Sequence, residues 1–335
     1  MICEKVTLYE NRDDVTLSTY ILDDSVELLD GGKKGAVLVC PGGAYLYCSD
    51  REGEPVAMAF AAMGYQTFVL RYSVYNENNG LNIMEHIMPD MSKPWEEKTG
   101  ILFPGQIRDV GKAMLYIREH AEEWRIDMDK ITLCGFSAGA YTSAMYSVYY
   151  DKPIVTDFLG IDAEGIRPAA AVLGYTLSDY VSLMSVDQEK NPLFGASIRA
   201  YTGKARMEDK KQAEELSPCY LVNEKTPPMF LWTTAKDQLV DPEHTLKMAM
   251  ALNQHKIPYE LHIFEEGSHG MVLGTYATAA WKAHLDTNIE NWIHMADKWL
   301  QKRMAPELNG DYQDSERQNR KMNRREISLR KGNSL

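Results

Sequence analysis

Residues 130–150 read KITLCGFSAGAYTSAMYSVYY, and the fold class can be worked out from this stretch. It begins with a short apolar, β-branched run that is typical of a buried strand, and it ends with an alanine-rich run that is typical of a helix. Between the two lies GFSAG at 135–139, a Gly-x-Ser-x-Gly motif. A serine on such a strand-to-helix turn is exposed at the edge of a sheet. The stretch therefore predicts a parallel strand, an exposed Ser137 and a helix at 138–149.

The turn also accounts for the glycines on either side of the serine. It imposes a strained backbone on Ser137, and Gly135 and Gly139 carry no Cβ that would clash there. It also places the hydroxyl at a helix N-terminus, where the helix dipole favours developing negative charge. A second interpretation stays open at this point, in which Ser137 is only the N-cap of a helix in an ordinary loop. The motifs elsewhere in the chain decide between the two.

Short apolar runs alternate with longer helical stretches along the rest of the chain. Strands are predicted at 36–40, 66–72, 130–134, 169–173, 229–233 and 259–264, and helices at 52–63, 107–123, 138–149, 242–254 and 278–303. Runs at 6–9 and 15–22 predict two antiparallel strands near the N-terminus. Buried parallel strands are nearly continuous in apolar residues, and these runs have that character. The pattern predicts an α/β fold with a mostly parallel central sheet and helices on both faces.

Composition and charge limit the classes of protein to which the chain can belong. Its 335 residues are 44% hydrophobic and 25% charged, which is typical of a globular enzyme. A net charge of −12 argues against nucleic acid as a partner, because phosphate binding needs clustered lysine and arginine. No apolar run approaches the ~20 residues that span a bilayer, so no membrane partner is expected.

The cysteines and the N-terminal residues bear on cofactors and location. Five scattered cysteines form no Cys-x-x-Cys pair and no Cys/His cluster, so neither a metal nor another cofactor is expected. The first residues, MICEKVTLYENRDD, lack a basic start and an apolar region, so they do not resemble a signal peptide. Reduced thiols and a cytoplasmic location are therefore expected.

Two segments depart from the alternation of strands and helices. Residues 75–103 are polar and rich in asparagine, and we expect them to form an insert or cap over the C-terminal edge of the sheet. Residues 305–335 are polar and carry a basic cluster, so we expect a flexible, solvated tail there. The remainder predicts a single catalytic domain over 1–304.

A glycine pair follows the first apolar parallel strand, in the sequence CPGGAY at 40–45. Adjacent glycines let backbone N–H groups turn into a cavity and approach a ligand closely. In acyl transfer, such donors stabilise the oxyanion that forms on the attacked carbonyl. We assign this role to the N–H groups of Gly43 and Ala44, together with that of Ala138 after the serine. The alternative is a plain glycine turn.

One of the eight histidines differs from the others in its setting. His269 lies in the glycine-flanked loop EGSHGM, just after the apolar run 259–264, and such a loop can bring a general base to the sheet edge. The orienting acid is expected after the preceding strand, where Asp237 and Asp241 are the candidates. Asp241 precedes Pro242 and suits a helix N-cap, so Asp237 is preferred. The order Ser, Asp, His is that of an α/β-hydrolase.

These motifs lie in four segments that together resemble the bacterial carbohydrate-esterase-like α/β-hydrolases. The segments are VLVCPGGAYLYCSDREGEPVAMAFAAMGYQTFVLRYSV (37–74), WRIDMDKITLCGFSAGA (124–140), TPPMFLWTTAKDQLVDPEHTLKMAMAL (226–252) and PYELHIFEEGSHGM (258–271). That family includes acetyl xylan and feruloyl esterases and is related to the hormone-sensitive-lipase-like group. The resemblance, over about residues 30–300, implies a triad of Ser137, Asp237 and His269. It also implies metal-independent hydrolysis of short acyl esters on carbohydrates.

The chain departs from the related lipase group at the glycine pair. That group has His-Gly-Gly-Gly where this chain has PGGA at 41–44, so Ala44 places a Cβ where glycine is usual. The insert 75–103 is longer than in compact members of the family, and the basic tail is not part of the shared pattern.

The expected partner is a small ester or an acylated oligosaccharide. Tyr45 and Trp95 are the expected substrate contacts, although Trp95, with Tyr75 and Phe103, could instead fill a small apolar cluster. Two other functions stay open. One is a serine peptidase of the prolyl-oligopeptidase type, which has the same triad order but usually a large preceding domain. The other is an α/β-hydrolase-fold protein that binds without catalysis.

Overall fold

A single eight-stranded sheet organises the part of the chain that the computed structural model describes, which is residues 1–25, 27–76, 95–96, 98–186, 191–306 and 308. The strand order is β1-β2-β4-β3-β5-β6-β7-β8. The strands are β1 Ile2–Tyr9, β2 Arg12–Ile21, β3 Lys34–Cys40, β4 Gln66–Arg71, β5 Ile126–Phe136, β6 Ala170–Gly174, β7 Met229–Thr234 and β8 Tyr259–Phe264. Each predicted strand is found. The observed bounds of most strands differ from the predicted bounds by a few residues.

The sheet is mostly parallel, as predicted. Strand β2 is antiparallel to both β1 and β4, whereas the six strands β3 to β8 pair in parallel. All seven residues of β3 are buried, because strands inside an α/β sheet are covered on both faces. The prediction of an antiparallel N-terminal pair beside a parallel sheet is confirmed.

Helices cover both faces of the sheet. They are α1 Glu54–Ala62, α2 Gly105–Glu119, α3 Ala138–Tyr149, α4 Pro153–Leu159, α5 Tyr180–Leu183, α6 Pro192–Thr202, α7 Lys210–Glu215, α8 Pro218–Leu221, α9 Glu243–Gln254 and α10 Trp292–Met304. Alternate side chains of β3 enter two separate cores: Leu38 packs in the core that holds Met248 of α9, and Val39 packs in the core that holds Phe60 of α1. The two cores show that the helices form a layer on each face.

The helix predicted at 278–303 is wrong over its first half. Helix α10 begins only at Trp292, and a loop with two short 3₁₀ turns precedes it. In this loop the Asp286 carboxylate accepts the N–H groups of Asn288 and Ile289, at 2.8 and 2.9 Å. Side-chain acceptors of this kind satisfy backbone donors outside a helix, which favours a loop over continued helix.

Two predicted segments lie largely outside the described residues. The insert predicted at 75–103 includes 77–94 and 97, and the tail predicted at 305–335 includes 307 and 309–335, none of which is described. Within the described residues, α5 and α6, which lie between β6 and β7 in the chain, reach the C-terminal edge of the sheet above Ser137. Over the same residues, no helix is both long and apolar enough to cross a bilayer.

Candidate active site

Ser137 occupies a sharp turn between β5 and α3. Strand β5 ends at Phe136, α3 begins at Ala138, and the residue between them has φ 51° and ψ −120°. A residue with a Cβ rarely adopts a positive φ, and such strain persists only where the surroundings hold it. Here the Ser137 N–H donates to the Gly174 carbonyl at 3.1 Å, and the Ser137 carbonyl accepts the N–H of Tyr141 at 2.9 Å.

The two glycines of the motif let this turn pack against the neighbouring strand. A Cβ on Gly139 would lie 2.0 Å from the Cys40 carbonyl oxygen at the end of β3. A Cβ on Gly135 would lie 2.4 Å from the carbonyl oxygen of Gly139 itself. Neither distance is possible for real atoms, so only glycine allows the turn to approach the segment that follows β3.

The structure brings the three predicted triad residues together. His269 Nε2 lies 2.9 Å from Ser137 Oγ, and His269 Nδ1 lies 2.7 Å from Asp237 Oδ2. The three residues follow β5, β7 and β8, and the carboxyl ends of parallel strands meet at one edge of a sheet. The imidazole is 15% exposed and the carboxylate fully buried, so a substrate can reach the base but not the acid.

The Asp237 carboxylate is fixed by a second set of hydrogen bonds. Its Oδ1 accepts the N–H groups of Leu239 and Val240, both at 2.9 Å, which leaves Oδ2 for the imidazole. A carboxylate can only accept, so the His269 proton lies on Nδ1 and the Nε2 lone pair faces the Ser137 hydroxyl. This is the tautomer that a general base needs.

Asp241, the other candidate for the acid, has a different position. Its Oδ1 accepts the N–H of Glu243 at 2.8 Å in the first turn of α9, and the residue is exposed. It thus lies one residue before the N-cap, which is Pro242 and not Asp241 as predicted, and its carboxylate still accepts an N–H of the first turn.

The segment after β3 lies beside the nucleophile with an unusual backbone. Gly43, Ala44 and Tyr45 all have positive φ, at 130°, 54° and 61°, and the Gly43 carbonyl accepts the N–H of Leu46. Ala44 adopts this conformation despite its Cβ. Within the described part of the chain, the N–H groups of Gly43, Ala44 and Ala138 donate to no protein group. These are the three donors predicted for an oxyanion, and Ala138 N–H, at the start of α3, has no acceptor within its helix.

A buried carboxylate that the sequence analysis missed supports this segment. Glu52, only 5% exposed, accepts the Gly42 N–H at Oε2 (2.8 Å) and the Tyr175 hydroxyl at Oε1 (2.7 Å). The Tyr175 ring in turn packs edge-on against the His269 ring, with 4.8 Å between centroids. Burial raises the pKa of the Tyr175 hydroxyl well above its usual value, and the nearby Glu52 adds to the effect, so the phenol stays a donor. Glu52 therefore connects the glycine segment to the wall behind the imidazole.

Arg51, next to Glu52, holds the loop that carries the base. Its Nε donates to the Thr278 carbonyl at 2.6 Å, and one terminal nitrogen donates to the Gly270 carbonyl at 3.0 Å. Gly270 follows His269 directly, so the guanidinium fixes the backbone beside the imidazole.

Two cavities meet at Ser137. The first has a volume of about 440 Å³, open solvent included, and is mostly apolar and aromatic, with walls that include Tyr45, Tyr141, Leu177, Tyr180, Leu193 and Phe194. The second is a cleft of about 880 Å³, open solvent included, lined by His269 and by polar and aromatic side chains. In the described ranges, no group of three or more His, Cys, Asp or Glu side chains is arranged to hold a metal ion.

The two predicted substrate contacts have different positions. Tyr45 borders the first cavity, but it is 2% exposed and its hydroxyl donates to the Ala138 carbonyl at 3.0 Å. Trp95 borders neither cavity at Ser137. Its ring packs at a tilt against that of Tyr75, with centroids 4.1 Å apart, and lies beneath the Arg199 guanidinium.

Comparison with known proteins adds a family and several relatives. The BD-FAE family model matches residues 95–252. Endo-1,4-beta-xylanase B of Butyrivibrio fibrisolvens is 29% identical over 260 residues, which are 77% of this chain and 34% of that protein. The chain spans about a third of the length of the curated relatives that it matches.

Solved structures match nearly the whole chain. The carboxylesterase Cest-2923 from Lactobacillus plantarum has a TM-score of 0.71 at 24% identity, with 93% of this chain and 100% of that chain covered, and it bears on the fold alone. An acetyl ester-xyloside bifunctional hydrolase from Caldicellulosiruptor lactoaceticus has a TM-score of 0.66 at 26% identity, with 89% and 96% covered. The family resemblance inferred from the sequence is thus confirmed. This chain therefore has the α/β-hydrolase fold, and it is similar to the BD-FAE family over residues 95–252 and to an ester hydrolase over most of its length.

Proposed function

We propose that this chain is a serine esterase that removes short, acetyl-type acyl groups from carbohydrates such as acetylated xylo-oligosaccharides. The observation that carries the proposal is the continuous hydrogen-bonded line from Asp237 through His269 to Ser137, with its two short distances. Such a line activates a hydroxyl as a nucleophile, provided that donors for the oxyanion lie beside it. A single catalytic domain over 1–304 and a cytoplasmic location are part of the same proposal and rest on the sequence.

The reaction proceeds in two acyl-transfer steps. Ser137 Oγ attacks the ester carbonyl while its proton passes to His269 Nε2, and the Gly43, Ala44 and Ala138 N–H groups bind the oxyanion. The tetrahedral intermediate collapses, the C–O bond to the alcohol breaks, and His269 returns the proton to the leaving oxygen. Water then attacks the acyl-serine with the same imidazole as base, which releases the acid and restores the Ser137 hydroxyl.

The first cavity supports a short acyl group. Its floor includes three tyrosine rings backed by that of Tyr201: the Tyr141 and Tyr180 centroids lie 5.2 Å apart, and Tyr45 stacks on Tyr201 at 4.5 Å. All four rings are almost completely buried, so they cannot move aside without loss of packing. A chain longer than the cavity would have to displace this floor.

We therefore expect activity to fall with acyl length. In a series of p-nitrophenyl esters from acetate to octanoate, kcat/KM for the octanoate should be at least about tenfold below that for the acetate, because overfilling a packed site costs about 1–3 kcal/mol. The measurement is the initial rate for each ester at matched concentrations, which gives the ratio of kcat/KM between the acetate and the octanoate. A preference for the long chains would contradict the proposed acyl group and indicate a lipase.

The carbohydrate part of the proposal is supported by the relatives. One relative is an endo-1,4-beta-xylanase and another is an acetyl ester-xyloside bifunctional hydrolase, so both are connected with xylan-type sugars. The reaction at Ser137 is possible for any ester whose alcohol part fits the second cavity. We propose that this alcohol is a sugar.

Labelling with a fluorophosphonate, alongside hydrolysis of p-nitrophenyl acetate and of prolyl peptides, tests the function as a whole. An esterase forms the covalent adduct at Ser137 and cleaves the acetate. An adduct combined with cleavage of peptides alone would instead identify a peptidase of the prolyl-oligopeptidase type. A Ser137 that neither labels nor turns over ester would identify a binding protein.

Replacement of Glu52 tests the support of the oxyanion segment. We expect Glu52→Ala to lower kcat about 10- to 100-fold with little change in KM. Removal of an oxyanion donor lowers kcat by about 10²–10³, and this change loosens a donor without removing it. The matched control is Glu54→Ala, because Glu54 is acidic, lies two residues away and is exposed. Rates for p-nitrophenyl acetate, taken with thermal unfolding of each variant, separate the effect from unfolding. Equal kcat in the two variants would show that Glu52 does not position the segment.

A further inference from the structure

The cleft that contains His269 is where the alcohol of an ester must leave. The two cavities share Ala44, Ser137, Leu193 and Leu239, but only the second is lined by His269. The imidazole returns a proton to the leaving oxygen, so that oxygen must lie within hydrogen-bond reach of it. The acyl group then occupies the other cavity. This division assigns one part of the substrate to each side of Ser137.

The alcohol-side cleft carries an aromatic ring in an exposed position. Trp281 lines it and is 58% exposed, although large apolar side chains are usually covered. Its backbone is held in place, because His284 Nδ1 accepts the N–H groups of Ala280 and Trp281 at 3.1 and 3.3 Å. The indole ring also lies 5.0 Å from the His284 ring. Trp281 is therefore an exposed ring on a fixed loop, and it contributes little to the core.

Polar groups lie next to this ring. Arg51, Ser49 and His284 line the same cleft. Two N–H groups donate to His284 Nδ1, so its own proton lies on Nε2, which is a donor. Burial, and then the charge of Arg51, lower the pKa of His284, which favours the neutral ring. The cleft thus combines one flat apolar face with charged and neutral hydrogen-bonding groups.

We propose that this cleft is a sugar subsite, in which the C–H face of a pyranose ring stacks on Trp281 and its hydroxyls face Arg51 and His284. The inference rests on the proposed esterase function and adds the residue that selects the alcohol. A sugar has an apolar C–H face and a rim of hydroxyls, which matches an indole bordered by polar side chains better than a simple alkyl alcohol would. The cleft is larger than the acyl cavity, and Trp281 at its border is more than half exposed, so further sugar units can extend outward.

The kinetic test compares two acetates that differ only in the alcohol. We expect Trp281→Ala to lower the ratio of kcat/KM for an acetylated methyl xyloside to kcat/KM for ethyl acetate by about tenfold, and Trp281→Phe to keep most of it. Tyr220→Ala is the matched control, since Tyr220 is an aromatic residue that is 53% exposed and lines neither cavity. A ratio that is the same in Trp281→Ala and in the parent would overturn the subsite.

A binding measurement separates the subsite from catalysis. Xylotriose without acetyl groups is titrated calorimetrically into the full chain carrying Ser137→Ala, with and without Trp281→Ala. The subsite predicts binding that weakens about tenfold when the indole is removed. Equal binding, or no binding to either protein, would overturn it. Failure of the parent to hydrolyse any acetate would instead reject the esterase function, and the titration would still decide whether the sugar binds.

Discussion

Replacement of Ser137 by alanine is expected to lower kcat/KM for p-nitrophenyl acetate by at least about 10⁴-fold. Loss of the nucleophile removes the acyl-enzyme route altogether, and in serine hydrolases it costs up to about 10⁶ in kcat, with the remaining rate due to the oxyanion donors and binding. The fold should be kept, because alanine has the same backbone requirement as serine at φ 51° and the change removes one oxygen.

The control for this prediction is Ser147→Ala. Ser147 lies in the same helix α3 and is fully buried, and its hydroxyl donates to the Ser143 carbonyl within the helix. It lines neither cavity, so its loss should leave kcat/KM within about twofold, as for a substitution that only affects packing. If Ser137→Ala retained more than about 1% of the activity of the parent, Ser137 could not be the nucleophile.

Asp237→Asn is expected to lower kcat by about 10⁴, which is the loss that follows when this carboxylate becomes an amide in a Ser-His-Asp triad. The Asn carbonyl oxygen can replace Oδ1, which accepts the Leu239 and Val240 N–H groups. The NH₂ group then faces His269 Nδ1 and makes that nitrogen an acceptor. The imidazole proton moves to Nε2, which can no longer take a proton from the Ser137 hydroxyl.

Asp241→Asn is the matched control, because Asp241 is the other candidate for the orienting acid. Its carboxylate lies only four residues away, yet it accepts the Glu243 N–H and is exposed. The carbonyl oxygen of an Asn can accept the same N–H, so kcat should change by less than about twofold. Steady-state rates of the two variants on p-nitrophenyl acetate, with thermal unfolding as a check of folding, distinguish the candidates. A larger loss in Asp241→Asn would reverse the assignment of the acid.

The features that could be predicted from the sequence are those with a local cause. Burial on both faces makes β3 and the second half of β5, residues 131–136, nearly continuous apolar runs, and the glycines at 135 and 139 are required by contacts within and beside one turn. Asp237 and His269 could be placed because parallel strands deliver their following loops to one edge. Their catalytic roles stay predictions until the variants are measured.

The features that were missed depend on contacts between distant parts of the chain. Glu52 is joined to Tyr175 across 123 positions, and nothing in the spacing of DREGEP indicates a buried carboxylate. The helix predicted at 278–303 failed because side-chain acceptors such as Asp286 fix a loop whose composition also suits a helix. The same error hid the position of Trp281, because a residue placed in a predicted helix is not expected to line the cleft at Ser137.

Arg51 and Glu52 are neighbours in the chain, and their side chains hold the two sides of the active site in a fixed position relative to each other. One of these neighbours fixes the Gly42 amide, and the other fixes the backbone at Gly270 and at Thr278. A small displacement of Arg51 would reshape the alcohol-side wall and move the loop that carries His269 at the same time, so affinity for the alcohol and turnover are coupled through this residue. Changes of substrate preference that leave the rate intact are therefore to be sought at other positions, such as Phe194 in the wall contributed by α6.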